Sequence, residues 1–303
     1  MVQTGTVEAC EAFATYRPLL FGLAYRMLGS VMDAEDIVQE AFLRWQQTAG
    51  ARVETPQAYL SAIVTRLCID HLRSARVRRE AYVGPWLPEP LVGAPLEETT
   101  TTALADSLSL AFLVLLETLT PVERAVFLLH EVFGYAYDEI APMIDKSAAA
   151  CRQIGVRARR HVEERRPRFD ALPAQQERLL HRFVQACTTG DVDTLVTLLA
   201  DDVTVWTDGG GKVHAALRPI HGPANVARFL RGILAKAPPS LAVHVSTVNG
   251  QPGLAAEIDG HVSYVLAIDG MDECITAIRI VANPEKLRRF TPSHALDTPA
   301  SHT

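Results

Sequence analysis

The sequence predicts a multidomain protein in which two all-α helical modules precede an α+β cone. Three observations carry that expectation. Between Ala12 and Arg73 apolar residues recur at helical spacing in three successive runs. Between Leu119 and Arg166 a second helical block has the form of a helix-turn-helix with a basic exit. After Pro173 two amphipathic helices give way to short alternating runs, the order expected of helices packed on a sheet. A chain of 303 residues is long enough for two or three domains, each with its own core.

Composition narrows the function. With 48% hydrophobic and 21% charged residues the chain is of ordinary globular type, and a net charge of −6 excludes a general polyanion binder. Any nucleic-acid contact must therefore be local. The five cysteines (Cys10, Cys68, Cys151, Cys187, Cys274) are odd in number and scattered, without metal-ligand spacing. Reduced thiols, no metal and no cofactor are expected, in a cytoplasmic protein. Glu8 and Glu11 precede any apolar run, which argues against a signal peptide. The longest apolar run, Ala111 to Leu116, is too short for a bilayer, so no membrane partner is expected.

The first helix is expected from Ala12 to Leu28, with Tyr16, Leu19, Leu20, Leu23, Tyr25 and Leu28 inward and Gly29 ending it. Asp33 is expected to cap a second, Ala34 to Trp45. Its inner stripe is Ile37, Val38, Ala41, Phe42 and Trp45, and it leaves Asp36, Gln39 and Glu40 outside. A third runs from about Pro56 to Arg73, burying Leu60, Ile63, Val64 and Leu67, and leads into Arg73, Arg76, Arg78 and Arg79. Part of that basic cluster complements the helix dipole.

Further on, Thr120 suits an N-cap and Pro121 the first helical position. Val122, Val126, Leu129 and Val132 form a stripe, Phe133-Gly134-Tyr135 a break, and Ile140, Ala141 and Ile144 the face of a short helix. Pro142 lies inside that helix and predicts a kink or a late start. After the turn Asp145-Lys146-Ser147 a last helix runs from Ala148 to about Arg166. Cys151, Ile154 and Ala158 face inward; Arg152, Gln153, Arg157, Arg159 and Arg160 lie mostly on the other sides. Such a helix has an apolar side for its partner and donors for phosphates and base edges.

Tyr25 to Gly29, Asp33-Ala34-Glu35-Asp36 through Trp45, and Tyr59-Leu60 through Asp70-His71-Leu72-Arg73 resemble region 2 of the extracytoplasmic-function sigma factors. Leu119 to Arg160 resembles region 4 of the same family. The resemblance implies a docking helix for the clamp helices of the RNA polymerase β′ subunit, which places Asp33, Asp36, Gln39 and Glu40 as docking residues; region 4 would meet the β flap. It further implies that the third helix holds the melted −10 promoter element, with Arg66, where many members carry Asn, and Arg73, Arg76, Arg78 and Arg79 on the DNA. Ser147, Arg152, Gln153 and Arg157 would read the −35 element in the major groove.

Ala81 to Asp106 reads as an extended, proline-rich linker. It carries Trp86, Leu87 and Pro88, and a Trp beside Leu in a linker favours a docked position. In the family this linker threads toward the polymerase active centre. Past it the domain limits expected are 1–80, 81–107, 108–168 and 174–290, with a tail from 291. The last domain is read as helices Ala174–Thr188 and Val192–Leu199, strand Asp201–Trp206, a turn at Gly209, Gly210 and Gly211, and a partner strand Lys212–Leu217. A helix to Lys236 follows, then strands Leu241–Val248, Leu254–Ile258, Val262–Ile268 and Glu273–Val281 in a curved antiparallel sheet.

This part resembles a SnoaL-like domain. Trp86 to Pro90, Asp208 to Lys212, and Asn283, Pro284, Glu285, Lys286 and Leu287 match motifs of a sigma-factor subgroup that carries such an extension. They are the expected contacts of control in cis, in place of a separate anti-sigma protein. The bland alternatives are a glycine turn of permissive backbone and an Asp208–Lys212 pair across a hairpin. Two other functions remain: a helix-turn-helix regulator with a ligand-binding cone, and an isomerase or cyclase using Asp208, His214, His221, Asp259 or Asp272 as base. Core RNA polymerase and promoter DNA are the expected partners, and a small-molecule ligand in the cone is held open.

Overall fold

The computed structural model describes residues 2–48, 53–93, 107–165 and 173–290. The chain divides into two compact units, one from residues 1–80 and 112–166, the other from 81–111 and 167–303.

In the first unit α1 (Val2–Leu28) packs on α2 (Val31–Thr48) and α3 (Pro56–Glu80). Leu20, Leu23, Tyr25 and Met27 are wholly buried, and Phe13 meets Phe42 at 4.9 Å between ring centres. Gly29 closes α1 with φ of 66°, a conformation that penalises any Cβ. The cap of α2 is Ser30, not Asp33. Its Oγ accepts the Asp33 N–H at 3.2 Å, so the helix begins earlier than expected and Asp33 stands in its first turn. Helix α3 also outruns the sequence expectation and carries the basic segment as continuous helix.

The second helical block follows α4 (Leu110–Leu116) and opens with α5 (Pro121–Phe127). Thr120 and Glu123 form a reciprocal capping box, the Glu123 N–H to Thr120 Oγ1 at 3.3 Å and the Thr120 N–H to Glu123 Oε2 at 3.1 Å. Such a cap contributes about 1 kcal/mol. One wide π turn (Leu128–Val132) then ends in a five-residue hydrogen bond from Phe133 N–H to Leu128 O.

Helix α6 (Tyr137–Met143) begins directly after the Phe133-Gly134-Tyr135 break and its N-cap Ala136, so the late start does not occur, and Pro142 falls in its last turn. The proline terminates the helix one residue later, and the Arg66 guanidinium donates to the freed carbonyls of Pro142 (2.6 Å) and Met143 (2.9 Å). Helix α7 (Ala148–Arg165) buries Cys151, Ile154, Gly155, Ala158 and Val162.

Three further contacts join the two halves of this unit. The Arg124 guanidinium, 3% exposed, donates to Met27 O at 2.6 Å and to Glu117 at 2.7 Å. The Tyr135 hydroxyl lies 2.9 Å from Ser61 Oγ and accepts from Gln57 at 3.3 Å. Arg26 lies over the Phe133 ring at 5.6 Å.

In the second unit α8 (Pro173–Thr189) and α9 (Val192–Leu198) precede β1 (Leu199–Asp208) and β2 (Ile220–His221). Then come α10 (Pro223–Leu234), β3 (Ala242–Val248), β4 (Gln251–Ile258), β5 (His261–Met271), β6 (Cys274–Val281) and the short α11 (Pro284–Leu287). The sheet order is β2-β1-β6-β5-β4-β3. Leu179, Leu180 and Phe183 of α8 and Val226 and Leu230 of α10 pack in one core with Val203, Val205, Ile268 and Ile278 of the sheet.

Two sequence expectations are corrected here. The sheet is mixed, because β1 pairs with β6 in parallel; the chain leaves β1 through β2, α10 and three further strands and returns along the other edge of β1. Lys212–Leu217 is not a strand. The Gly209 carbonyl accepts from the N–H groups of Lys212 and Val213, and Thr207 Oγ1 accepts the Ala216 N–H and donates to the Ala216 carbonyl. Ladder pairing with β1 resumes only at Ile220 and His221.

Candidate functional site

The second unit brings its motif residues together around one carboxylate. Asp208, at the end of β1, is 0% exposed. Its Oδ1 accepts from the Tyr82 hydroxyl (2.5 Å) and the Gly210 N–H (3.1 Å), and its Oδ2 from the Leu87 N–H (2.8 Å) and Lys286 Nζ (2.7 Å). A buried carboxylate held by four donors, one of them a countercharge, is satisfied rather than stranded. Lys286 reaches it from α11, donates also to Leu87 O, and sits over the rings of Trp86 at 4.3 Å and Tyr82 at 5.1 Å. Asn283 caps α11 through its Oδ1 and donates to the Tyr82 hydroxyl at 2.8 Å.

Glycine is required where the linker meets the cone. Gly210 has φ of 58°, and a Cβ there would run into Asn283 and Tyr82. At Gly209 a Cβ would come within 2.8 Å of the Val213 carbonyl.

The alternative of an Asp208–Lys212 pair across a hairpin is not realised. Lys212 turns to Glu285 at 3.4 Å, with both side chains about half exposed. Leu87, Pro88 and Leu287 are buried, Pro284 is exposed, and Gly211 packs near Val83.

Two residues that the sequence reading did not single out complete the arrangement. Tyr82 offers one signal, an aromatic side chain just after the basic end of α3, four residues before Trp86. Asn249, 1% exposed with φ of 53°, accepts from Leu91 N–H at 3.0 Å and donates to Leu108 O at 2.9 Å. Val92 adds a bridge to Val248, and the Gly93 N–H donates to Thr247 O. Among the described residues the linker is thereby fastened to the cone at two places, residues 82–87 and 91–93.

Burial first, and then the hydrogen bond to the Asp208 carboxylate, push the Tyr82 phenol well above its usual range. A raised folded-state value means that the stability from the bound proton is complete below the unfolded pKa, about 10, and is withdrawn above it. The advantage of the wild-type chain over Tyr82→Phe in denaturant midpoint should therefore be constant up to about pH 10 and shrink beyond it. A difference that stays constant into the alkaline range would show that the phenol proton is not held there.

The remaining candidates are dispersed. On α2, Asp36 and Gln39 are exposed, Glu40 pairs with Arg44 at 2.9 Å, and Asp33 lies 3.6 Å from His71. Arg66 is taken up by the end of α6, and Arg73 pairs with Asp70 at the surface. The backbones of Arg76, Arg78 and Arg79 continue α3; their side chains lie outside the described residues. Ser147 Oγ accepts the Ala150 N–H at 3.2 Å as a cap of α7. Arg152 lies 5.7 Å over the Tyr137 ring, and Gln153 and Arg157 are exposed beside it. Of the suggested bases, Asp208 is committed as above, His221 contacts Thr204, and Asp259 and Asp272 sit in exposed left-handed turns. No described helix is long and apolar enough to cross a membrane.

Comparison with known proteins follows the same division. A Sigma-70 region 2 model matches residues 12–78, a Sigma-70 region 4 model residues 109–162, and a SnoaL-like domain model residues 180–280. The ECF RNA polymerase sigma factor SigJ of Mycobacterium tuberculosis is 38% identical over 288 residues, covering 90% of this chain and 91% of the relative. A probable ECF RNA polymerase sigma factor SigI of the same species is 33% identical over 278 residues, with 91% and 93% covered. The crystal structure of M. tuberculosis SigJ superimposes with a TM-score of 0.74 at 35% identity, over 92% of this chain and 98% of that one. With Sigma-70 regions 2 and 4 and a SnoaL-like domain matched in that order, and with relatives 38% and 33% identical over 91% and 93% of their length, the chain belongs to the extracytoplasmic-function sigma factors of RNA polymerase.

Proposed function

We propose that this chain directs core RNA polymerase to a defined set of promoters and that its own cone restrains the linker in cis. In this reading α2 docks on the polymerase through Asp33, Asp36, Gln39 and Glu40, whose acidic and amide surface suits a basic coiled coil. Helix α3, with its arginines, holds the melted −10 strand, and α7 enters the major groove at the −35 element. The cone acts by binding rather than by catalysis, a role that fits the full commitment of Asp208 to structural donors.

The observation that carries the regulatory part is the bonding of the linker backbone. Leu87 gives its N–H to Asp208 and its carbonyl to Lys286, so the same strand is not free to thread elsewhere. The compactness of the first unit points the same way. The two promoter elements lie about 25 base pairs apart, roughly 85 Å of duplex axis. A compact unit of this length has a radius of gyration of roughly 14 Å. Both DNA-reading blocks sit inside it, so they must separate to reach both elements.

Run-off transcription with purified core polymerase tests both parts on the full chain. Charge reversal at Asp36 and Glu40 should abolish co-migration with the polymerase and its promoter-specific product. Lys286→Ala should raise that product by about tenfold without changing the start site, as expected for a latch loosened by roughly 1.4 kcal/mol. Unchanged output from Lys286→Ala removes the cis-control reading, and unchanged co-migration in the charge-reversed chain removes the docking assignment.

A further inference from the structure

The cone carries a half-open cavity of about 750 Å³, within the range of small-molecule sites. Phe183 of α8, Phe229 of α10, and Leu254 and Leu266 of the sheet form its greasy walls. The charged groups on it are few and of one sign. Arg228 and Lys236 stand exposed on its lining together with His214, and among the described lining residues there is no carboxylate.

Neither the Arg228 nor the Lys236 side chain has an ion pair or hydrogen bond among the described residues, and nor does the Tyr264 hydroxyl on the cavity wall. The threonines that line it are already used: Thr188 donates to Val184 O and Thr207 bonds Ala216. An apolar chamber with two unpaired cations matches one kind of occupant. Its body is apolar, its head is anionic, and neutral or cationic analogues forgo the charge contact.

We infer that the cone cavity binds an anionic amphiphile, a carboxylate carried on an apolar chain or ring, with its head at Arg228 and Lys236. This site is independent of the docking and latch assignments, although Thr207 and Ala282 on its wall are chain neighbours of Asp208 and Asn283. Alternation along the strand places successive side chains on opposite faces, so cavity and latch share strand ends.

The test is titration calorimetry of the full chain with dodecanoate, dodecanol and dodecyltrimethylammonium, each kept monomeric. Dodecanoate should bind one per chain, about tenfold more tightly than the cationic analogue. Replacing Arg228 and Lys236 together by Ala should cost dodecanoate about tenfold in affinity and leave dodecanol unaffected. Ala256→Phe, which fills the chamber from the β4 wall, should abolish binding of both while the circular dichroism stays that of the wild type. Absence of saturable dodecanoate binding, affinity indifferent to head charge, or binding that survives a folded Ala256→Phe chain each overturns the inference. Should Ala256→Phe fail to fold, the double charge variant decides alone.

Discussion

Asp208→Ala is expected to cost the second unit about 3–5 kcal/mol, because it leaves the Lys286 ammonium and the Leu87 N–H without their buried acceptor. The loss should appear as a lower denaturant midpoint and as new protease cleavage between residues 81 and 93, where the linker is otherwise hydrogen-bonded to the cone. Lys212→Ala supplies the contrast. Its partner Glu285 is 3.4 Å away and both side chains are about half exposed, so the change should stay within about 0.5 kcal/mol. The two substitutions touch the same loop and differ in whether water can replace what is lost. If Asp208→Ala costs less than about 1 kcal/mol, the carboxylate is not the anchor of the linker.

The helices of the first unit were legible because their signals are local. Thr120-Pro121 with Glu123 is a complete start signature within four residues, and the stripe Ile37, Val38, Ala41 and Trp45 repeats at one period. Alternation likewise located β3 to β6. It does not say which strand lies beside which, and the parallel β1–β6 pairing joins residues more than 70 positions apart. The supposed strand Lys212–Leu217 failed for a related reason: the hydroxyl of Thr207 binds that segment in place of a backbone ladder, and no periodicity reports a side chain acting as a strand.

The site divides in the same way. Motif resemblance drew attention to Trp86, Leu87, Asp208, Gly210, Asn283 and Lys286, and these do converge on one carboxylate. Tyr82 and Asn249 both bind into the linker arrangement but belong to no quoted motif. Asn249 was recognisable only as an Asn-Gly turn, and its side-chain partners at Leu91 and Leu108 are set by tertiary structure. Arg66 shows a different limit. Its type and place suit DNA, yet in the closed unit its donors end α6, a helix about 70 residues further along.

Arg124→Ala should have an effect on the first unit comparable to that of Asp208→Ala on the second. The guanidinium is buried, and its loss strands Glu117 and removes the donor to Met27 O. Breaking such a pair costs about 3–5 kcal/mol. Arg124→Met separates charge from volume: it refills most of the space, so a loss close to that of the alanine variant would assign the effect to the charge, and a much smaller one to packing. Hydrogen exchange should localise the change to the last turn of α1 and to α5, the segments that Arg124 ties together. Because the Met27 contact joins the first helical block to the helix-turn-helix, both variants should also shift the unit toward the separated form that a promoter demands. Fluorescence transfer between labels at the exposed Leu43 and Val156 reads that separation directly. A midpoint within about 0.5 kcal/mol of wild type and an unchanged transfer efficiency would show that this arginine holds neither the fold nor the closed arrangement.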